Sequence, residues 1–252
     1  MLFQFSSLFI REFLRLKLGE AGTDAATAKH LSALVGFAVL GILMWPLIRN
    51  LGPQVKSLFR KPDSWLRLIA YSVAIGLAFR VASWAWMLTR IAFGFYGPGD
   101  PELAAGPMFW WACPPASYLV LSIFVMAVLT SAIEEVINRG LILCSLLKKS
   151  KTLAIVLSAA LFSVLHIYEG IPLAFAFGIV AAIQMLNNRT LWGTIIAHST
   201  FNLMNTIDTD CLQGVWIPES TSPSLGAASL VTTGLLVGLA ICLARSNSAG
   251  AS

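Results

Sequence analysis

Apolar positions along the chain fall into runs about 18–25 residues long, divided by short polar stretches that hold most of the charge. Strands of a membrane barrel would instead alternate over about ten residues. The runs predict membrane helices over Leu31–Leu47, Leu68–Phe95 (interrupted by Arg80), Ser117–Leu147 and Thr152–Ile167. Three more follow over Pro172–Leu186, Leu191–Ile207 and Ala227–Ala244. The first residues, MLFQFSSLFIREFLRLKL, put positive charge after the apolar positions, the reverse of a signal peptide. Phe3, Phe5, Leu8, Phe9, Phe13 and Leu16 there suit an amphipathic helix on the membrane surface. The expected fold is all-α, a polytopic transmembrane helical bundle of about seven to eight spans. Its expected organisation is an N-terminal amphipathic segment (1–30), two spans and an outer loop (31–116), a core (117–206), and an outer loop, last span and tail (207–252).

Composition narrows the class. Of 252 residues, 57% are hydrophobic and 12% charged, where a soluble domain carries roughly 25% charged. With a mean hydropathy of +0.78, the apolar surface exceeds what one globular core can bury. A soluble enzyme, a disordered chain and a fibre are excluded. The net charge of +5 reads as cytoplasmic loops and not as a nucleic-acid surface, because no basic run alternates with aromatic residues. Cys113, Cys144, Cys211 and Cys242 show no CxxC spacing, which argues against a redox pair or a zinc ribbon.

Charge also orients the spans. The loops with Lys56, Arg60 and Lys61, with Lys148, Lys149 and Lys151, and with Arg189 go to the cytoplasm, as does the Arg245 tail. Those with Asp100 and Glu102, with Glu169, and with Asp208, Asp210 and Glu219 go outside. Arg11, Arg15, Lys17 and Lys29 break the pattern, which an extra membrane segment before residue 20, or a first span that does not cross, would repair. Cys113 and Cys211 both fall on outer loops, where a disulfide is a candidate. Asp208 and Asp210 read as solvated loop charges, and Trp84, Trp86, Trp110 and Trp111 as an interfacial belt.

Charge inside a membrane costs at least about 2.5–3.5 kcal/mol per group and marks function by default. Four places qualify: Glu134, Glu135 and Arg139 in SAIEEVINRGLIL; Phe162 and His166 in FSVLH; His198 and Asn202 in AHSTFN; and Arg80 alone. Arg80 reads as structural or cavity-lining. Glu135 and Arg139 are spaced to pair on one helix face, and Glu134 lies about 100° round the helix and can point elsewhere. Counted along the helices, His198, Glu134 and His166 lie at overlapping depths, so one cavity is the simplest account.

Such a cavity suits hydrolysis. A carboxylate in an apolar wall is a usable general base near neutrality, and a neighbouring histidine can help hold and deprotonate a water. A second histidine and an asparagine amide offer donors to the oxyanion of a tetrahedral intermediate. Ser131, Ser163 and Ser199 have no nucleophile motif around them. No HExxH helix is present, although Glu134, His166 and His198 would make a His₂Glu zinc set.

The segments Glu134–Gly140 (EEVINRG), Phe162–His166 (FSVLH) and His198–Asn202 (HSTFN) resemble the EExxxR, FxxxH and HxxxN motifs of the CAAX-protease and bacteriocin-processing family. These are intramembrane endopeptidases that include the type II CAAX prenyl proteases. The resemblance implies Glu134 as general base on water, assisted by His166, with His198 and Asn202 lining an oxyanion hole. It implies that Glu135 and Arg139 brace the site and that Phe162 supports it. No cofactor is needed on this reading, the alternative being zinc on Glu134, His166 and His198. Asn138 stands where many members carry an aromatic residue. The implied partners are a membrane-associated protein or peptide substrate and the lipid bilayer, with no nucleic acid. The implied location is a cell membrane, multi-pass, with a size that suits a prokaryote. The rival readings are a proton-coupled transporter, which would show repeats and broken helices in two halves, and a non-catalytic immunity or scaffold protein.

Overall fold

The computed structural model describes residues 2–95, 110–166, 168–213 and 222–246. Among these, eight helices account for nearly all regular structure: α1 (Leu2–Glu20), α2 (Ala25–Ser57), α3 (Trp65–Ala92), α4 (Ala116–Leu146), α5 (Lys151–Ser163), α6 (Ile171–Asn188), α7 (Trp192–Cys211) and α8 (Pro223–Ser246). The all-α expectation holds. The starts are set by local chemistry: Ser64 and Ser150 accept backbone N–H bonds from Arg67 and Leu153, as N-caps do, and Pro172 sits in the first turn of α6. Helix α6 ends at Arg189, which takes the left-handed conformation at φ 50°.

Four helices are long and apolar enough to cross a bilayer: α3, α4, α6 and α8. The expectation of seven to eight spans has thinner support at the other three. Helix α5 has 13 residues and reaches only about 20 Å, short of a hydrocarbon core about 30 Å thick. Helix α7 is long enough, but His198, Asn202, Asn205, Asp208 and Asp210 lower its hydropathy. Helix α2 continues past Leu47 to Ser57 and carries Arg49 and Lys56 with it. The N-terminal segment is a helix, α1, in which Phe13 and Leu16 are exposed.

Small residues let the central helices approach closely, as in other membrane bundles. A Cβ at Gly76 of α3 would lie 2.5 Å from the Ala197 carbonyl of α7, and one at Gly178 of α6 would lie 2.8 Å from Ala159 of α5. Around these contacts Ile75, Phe79, Phe162, Phe177 and Ala197 form the main core, which α8 closes through Ala240 and Ala244. Leu143, Met185 and Leu191 form a second core toward the ends bearing Lys148, Lys149 and Arg189.

At the opposite end, Cys113 and Cys211 form the disulfide that the loop assignment allowed. A short antiparallel pairing of Trp110–Trp111 with Leu212–Gln213 adjoins it, and Ala112 N–H donates to the Cys211 carbonyl at 2.9 Å. The start of α4 is thereby fastened to the end of α7.

Asp208 and Asp210 are not solvated loop charges, because α7 runs on to Cys211 and carries both inward. Arg80 Nε donates to Asp208 Oδ2 at 2.8 Å, and Ser122 Oγ donates to Asp210 Oδ2 at 2.6 Å. Trp84 and Trp86 are half-buried and tied inside the bundle, Trp84 Nε1 to Asp208 Oδ2 at 3.3 Å and Trp86 Nε1 to the Glu169 carbonyl at 2.9 Å. The side chains of Trp110 and Trp111, like Asp100, Glu102 and Glu219, lie outside the described residues.

Candidate active site

Helix α4 is not uniform. Two π-helical stretches, Ile123–Thr130 and Val136–Leu143, flank five α-helical residues, Ser131–Glu135. Thr130 Oγ1 donates to the Val125 carbonyl at 2.8 Å, and Asn138 Nδ2 to the Glu134 carbonyl at 2.8 Å. Wide turns of this kind are rare and cluster at functional sites. Here they bracket the glutamate pair.

The two glutamates part company. Glu135 is fully buried, and its Oε1 accepts from Arg139 Nη1 at 3.0 Å and from His198 Nδ1 at 2.9 Å. Arg139 is also buried, with its guanidinium carbon 4.5 Å from the centre of the Phe162 ring and Nη2 3.5 Å from the Gly178 carbonyl. Desolvating such a pair costs several kcal/mol, which the His198 bond and the arginine–aromatic contact help offset. Glu134 keeps 31% of its side chain exposed, and its Oε2 lies 3.8 Å from His198 Nε2. A carboxylate held by arginine only accepts hydrogen bonds, so His198 carries its proton on Nδ1 and turns Nε2 toward Glu134.

The same logic fixes His166. Its Nδ1 lies 3.0 Å from the Phe162 carbonyl, an acceptor, so Nδ1 bears the proton and Nε2 is left as a lone pair. Phe162 stacks against both histidines, with ring centres at 4.7 Å from His166 and 5.7 Å from His198. It packs, and it also covers Arg139. Asn202 spends its amide hydrogens on α4, donating to the Met126 carbonyl at 3.2 Å and to Ser131 Oγ at 3.0 Å.

A cavity of about 220 Å³ adjoins this cluster, lined among others by Phe162, His166, Phe177, His198, Phe201 and Asn202. Helices α4, α5 and α7, with the turn after α5 that carries His166, thus bring together the residues singled out by the three motifs. Arg80 stands at the cavity's far edge, where its guanidinium holds Asp208, Asn205 Oδ1 and Ser83 Oγ, the last two being cavity residues. Its structural, cavity-edge reading therefore fits this geometry.

The walls Phe79, Phe177 and Phe201 and the buried bond from Gln184 Nε2 to Ser72 Oγ (2.8 Å) escaped the sequence reading. Only Gln184, a lone amide in GIVAAIQML, carried a visible signal. Among the described residues, no three His, Cys, Asp or Glu side chains are grouped to hold a metal ion.

Residues 116–204 match the family model described as type II CAAX prenyl endopeptidase Rce1-like. No curated protein and no solved structure matches the chain. The matched segment runs from the first turn of α4 into α7 and contains Glu134, Glu135, Arg139, Phe162, His166, His198 and Asn202. Over this segment the protein is similar to the Rce1-like type II CAAX prenyl endopeptidases, which are peptide hydrolases, and the segment includes α4 and α6, two helices long and apolar enough to cross a membrane.

Proposed function

We propose that the protein hydrolyses a peptide bond of a membrane-associated protein or peptide with a water activated by Glu134 and the site histidines, and with no metal. It would do so in a cell membrane, that of a prokaryote by its size. The observation that carries the reading is the unequal pair. Glu135 is sealed behind Arg139, while Glu134 stays partly exposed with its Oε2 3.8 Å from Nε2 of the cavity residue His198.

Glu134 removes a proton from water, and His166 Nε2, a lone pair beside the same cavity, accepts a hydrogen bond from that water. Hydroxide attacks the substrate carbonyl, and negative charge builds on its oxygen. His198, held by Glu135 on Nδ1, meets that charge with a hydrogen bond when Nε2 carries a proton. Glu134 then returns its proton to the leaving amine as the C–N bond breaks. Asn202 positions α7 on α4 and can offer an amide hydrogen to the oxyanion by releasing Ser131 Oγ.

The test is peptide-bond cleavage by the purified full chain in proteoliposomes, with a quenched-fluorescent peptide library as probe. Wild type cleaves and Glu134→Gln does not. Equal cleavage by both would remove Glu134 from the mechanism.

A further inference from the structure

The cavity is not centred on the reactive cluster. From His198 its lining runs toward one end of the bundle, past Asn202 and Ser83 to Asn205, Gly170 and Leu173. Asn205 lies about 20 Å along α7 from its start at Trp192, and Leu173 belongs to the first turn of α6. In the other direction the bundle is filled. Arg139 and Glu135 close the floor, Gln184 and Ser72 bond across it, and Thr194, Leu191 and Leu143 lie beneath with no exposed surface.

The two ends are chemically distinct. The filled end carries Lys148, Lys149, Lys151, Arg189 and Arg245, the cytoplasmic signature. The cavity end carries Glu169, Asp208, Asp210 and the Cys113–Cys211 disulfide. Disulfides persist in oxidising compartments and are rare where thiols are kept reduced. Charge and sulfur chemistry are independent observations, and they give the same orientation.

We infer that the catalytic cavity is entered from the non-cytoplasmic side, so that the substrate is a polypeptide segment presented at the outer face of the membrane, and not a chain terminus delivered from the cytoplasm. The inference rests on the cavity's being the active site. A segment from outside passes the Arg80–Asp208 pair and the half-buried Ser83 before its carbonyl reaches His198.

The experiment uses the full chain with Cys144→Ser and Cys242→Ser and with the disulfide kept. Single cysteines are placed at the cavity by Leu173→Cys and, separately, by the near-isosteric Ser83→Cys. Lys149→Cys marks the basic end. Sealed vesicles of the two orientations are treated with a membrane-impermeant maleimide, and the loss of free thiol is read. Leu173→Cys and Ser83→Cys are expected to lose their thiol only when the outer face is exposed to reagent, and Lys149→Cys only in the inverted vesicles. Labelling of the cavity cysteines from the cytoplasmic face, or from neither face while both label in detergent, would overturn the inference. Either variant that folds suffices. Labelling needs no catalysis, so failure here leaves the Glu134 mechanism standing, and an active Glu134→Gln would remove that mechanism without altering the labelling.

Discussion

His198 Nδ1 lies 2.9 Å from Glu135 Oε1, and the same oxygen takes Arg139 Nη1 at 3.0 Å. One buried carboxylate oxygen therefore sets both the tautomer of the cavity histidine and the place of the arginine. Glu135 touches the cavity residue His198 from behind, which makes it a positioning residue on the proposed mechanism, whereas the partly exposed Glu134 is the proposed base.

The first prediction separates these roles. Glu134→Gln should lower the cleavage rate about 100- to 10,000-fold, the usual contribution of a general base, with little change in thermal stability. Peptide turnover and a melting curve on the same preparation check it.

Glu135→Gln should behave differently, because it leaves Arg139 as an uncompensated charge in a buried place. A loss of about 3–5 kcal/mol is expected. Adding Arg139→Met should recover much of the stability but not the rate, since His198 has then lost its carboxylate partner on Nδ1. Denaturation in detergent, together with the pH profile of turnover, tells positioning from mere structure.

Gly76→Val should separate α3 from α7. Its Cβ would fall 2.5 Å from the Ala197 carbonyl and 2.7 Å from Thr200 Cβ, next to His198. Overpacking of this kind costs about 1–3 kcal/mol, and activity should fall with stability. At Gly140, where a Cβ meets nothing closer than Leu191 Cδ1 at 3.5 Å, alanine should be tolerated.

Reduction of Cys113–Cys211, or Cys211→Ala, frees the end of α7 from the start of α4. A loss of about 2–4 kcal/mol is expected, readable as a lower melting temperature in reductant. Non-reducing electrophoresis after thiol alkylation tests the bond itself.

Chelation addresses the metal question. If Glu134 and the histidines activate water unaided, chelator should leave turnover by the purified protein unchanged. A loss that zinc restores would move Glu134, His166 and His198 to the ligand role instead.

Much of this molecule was readable before folding. The three motifs could be found because charge in an apolar run is costly, and the i, i+4 spacing of Glu135 and Arg139 is a contact in any helix. The disulfide was foreseeable from the placement of two cysteines on one side. Asp208 was misread because it follows Ile207, where apolar character ends, and nothing local shows that the helix continues to meet an arginine 128 positions away.

Sequence alone thus determined a helical membrane protein, the separation of its basic loops from its acidic ones, and the polar residues that need an explanation, since each follows from local transfer free energy, charge or helical period. Tertiary structure decided which glutamate is buried, which ring nitrogens of His166 and His198 are committed, and toward which end the cavity runs. Those depend on partners supplied by other helices. Glu134 and Glu135 are adjacent and chemically identical, and only the packing of α6 and α7 against α4 makes one a sealed brace and the other a candidate base.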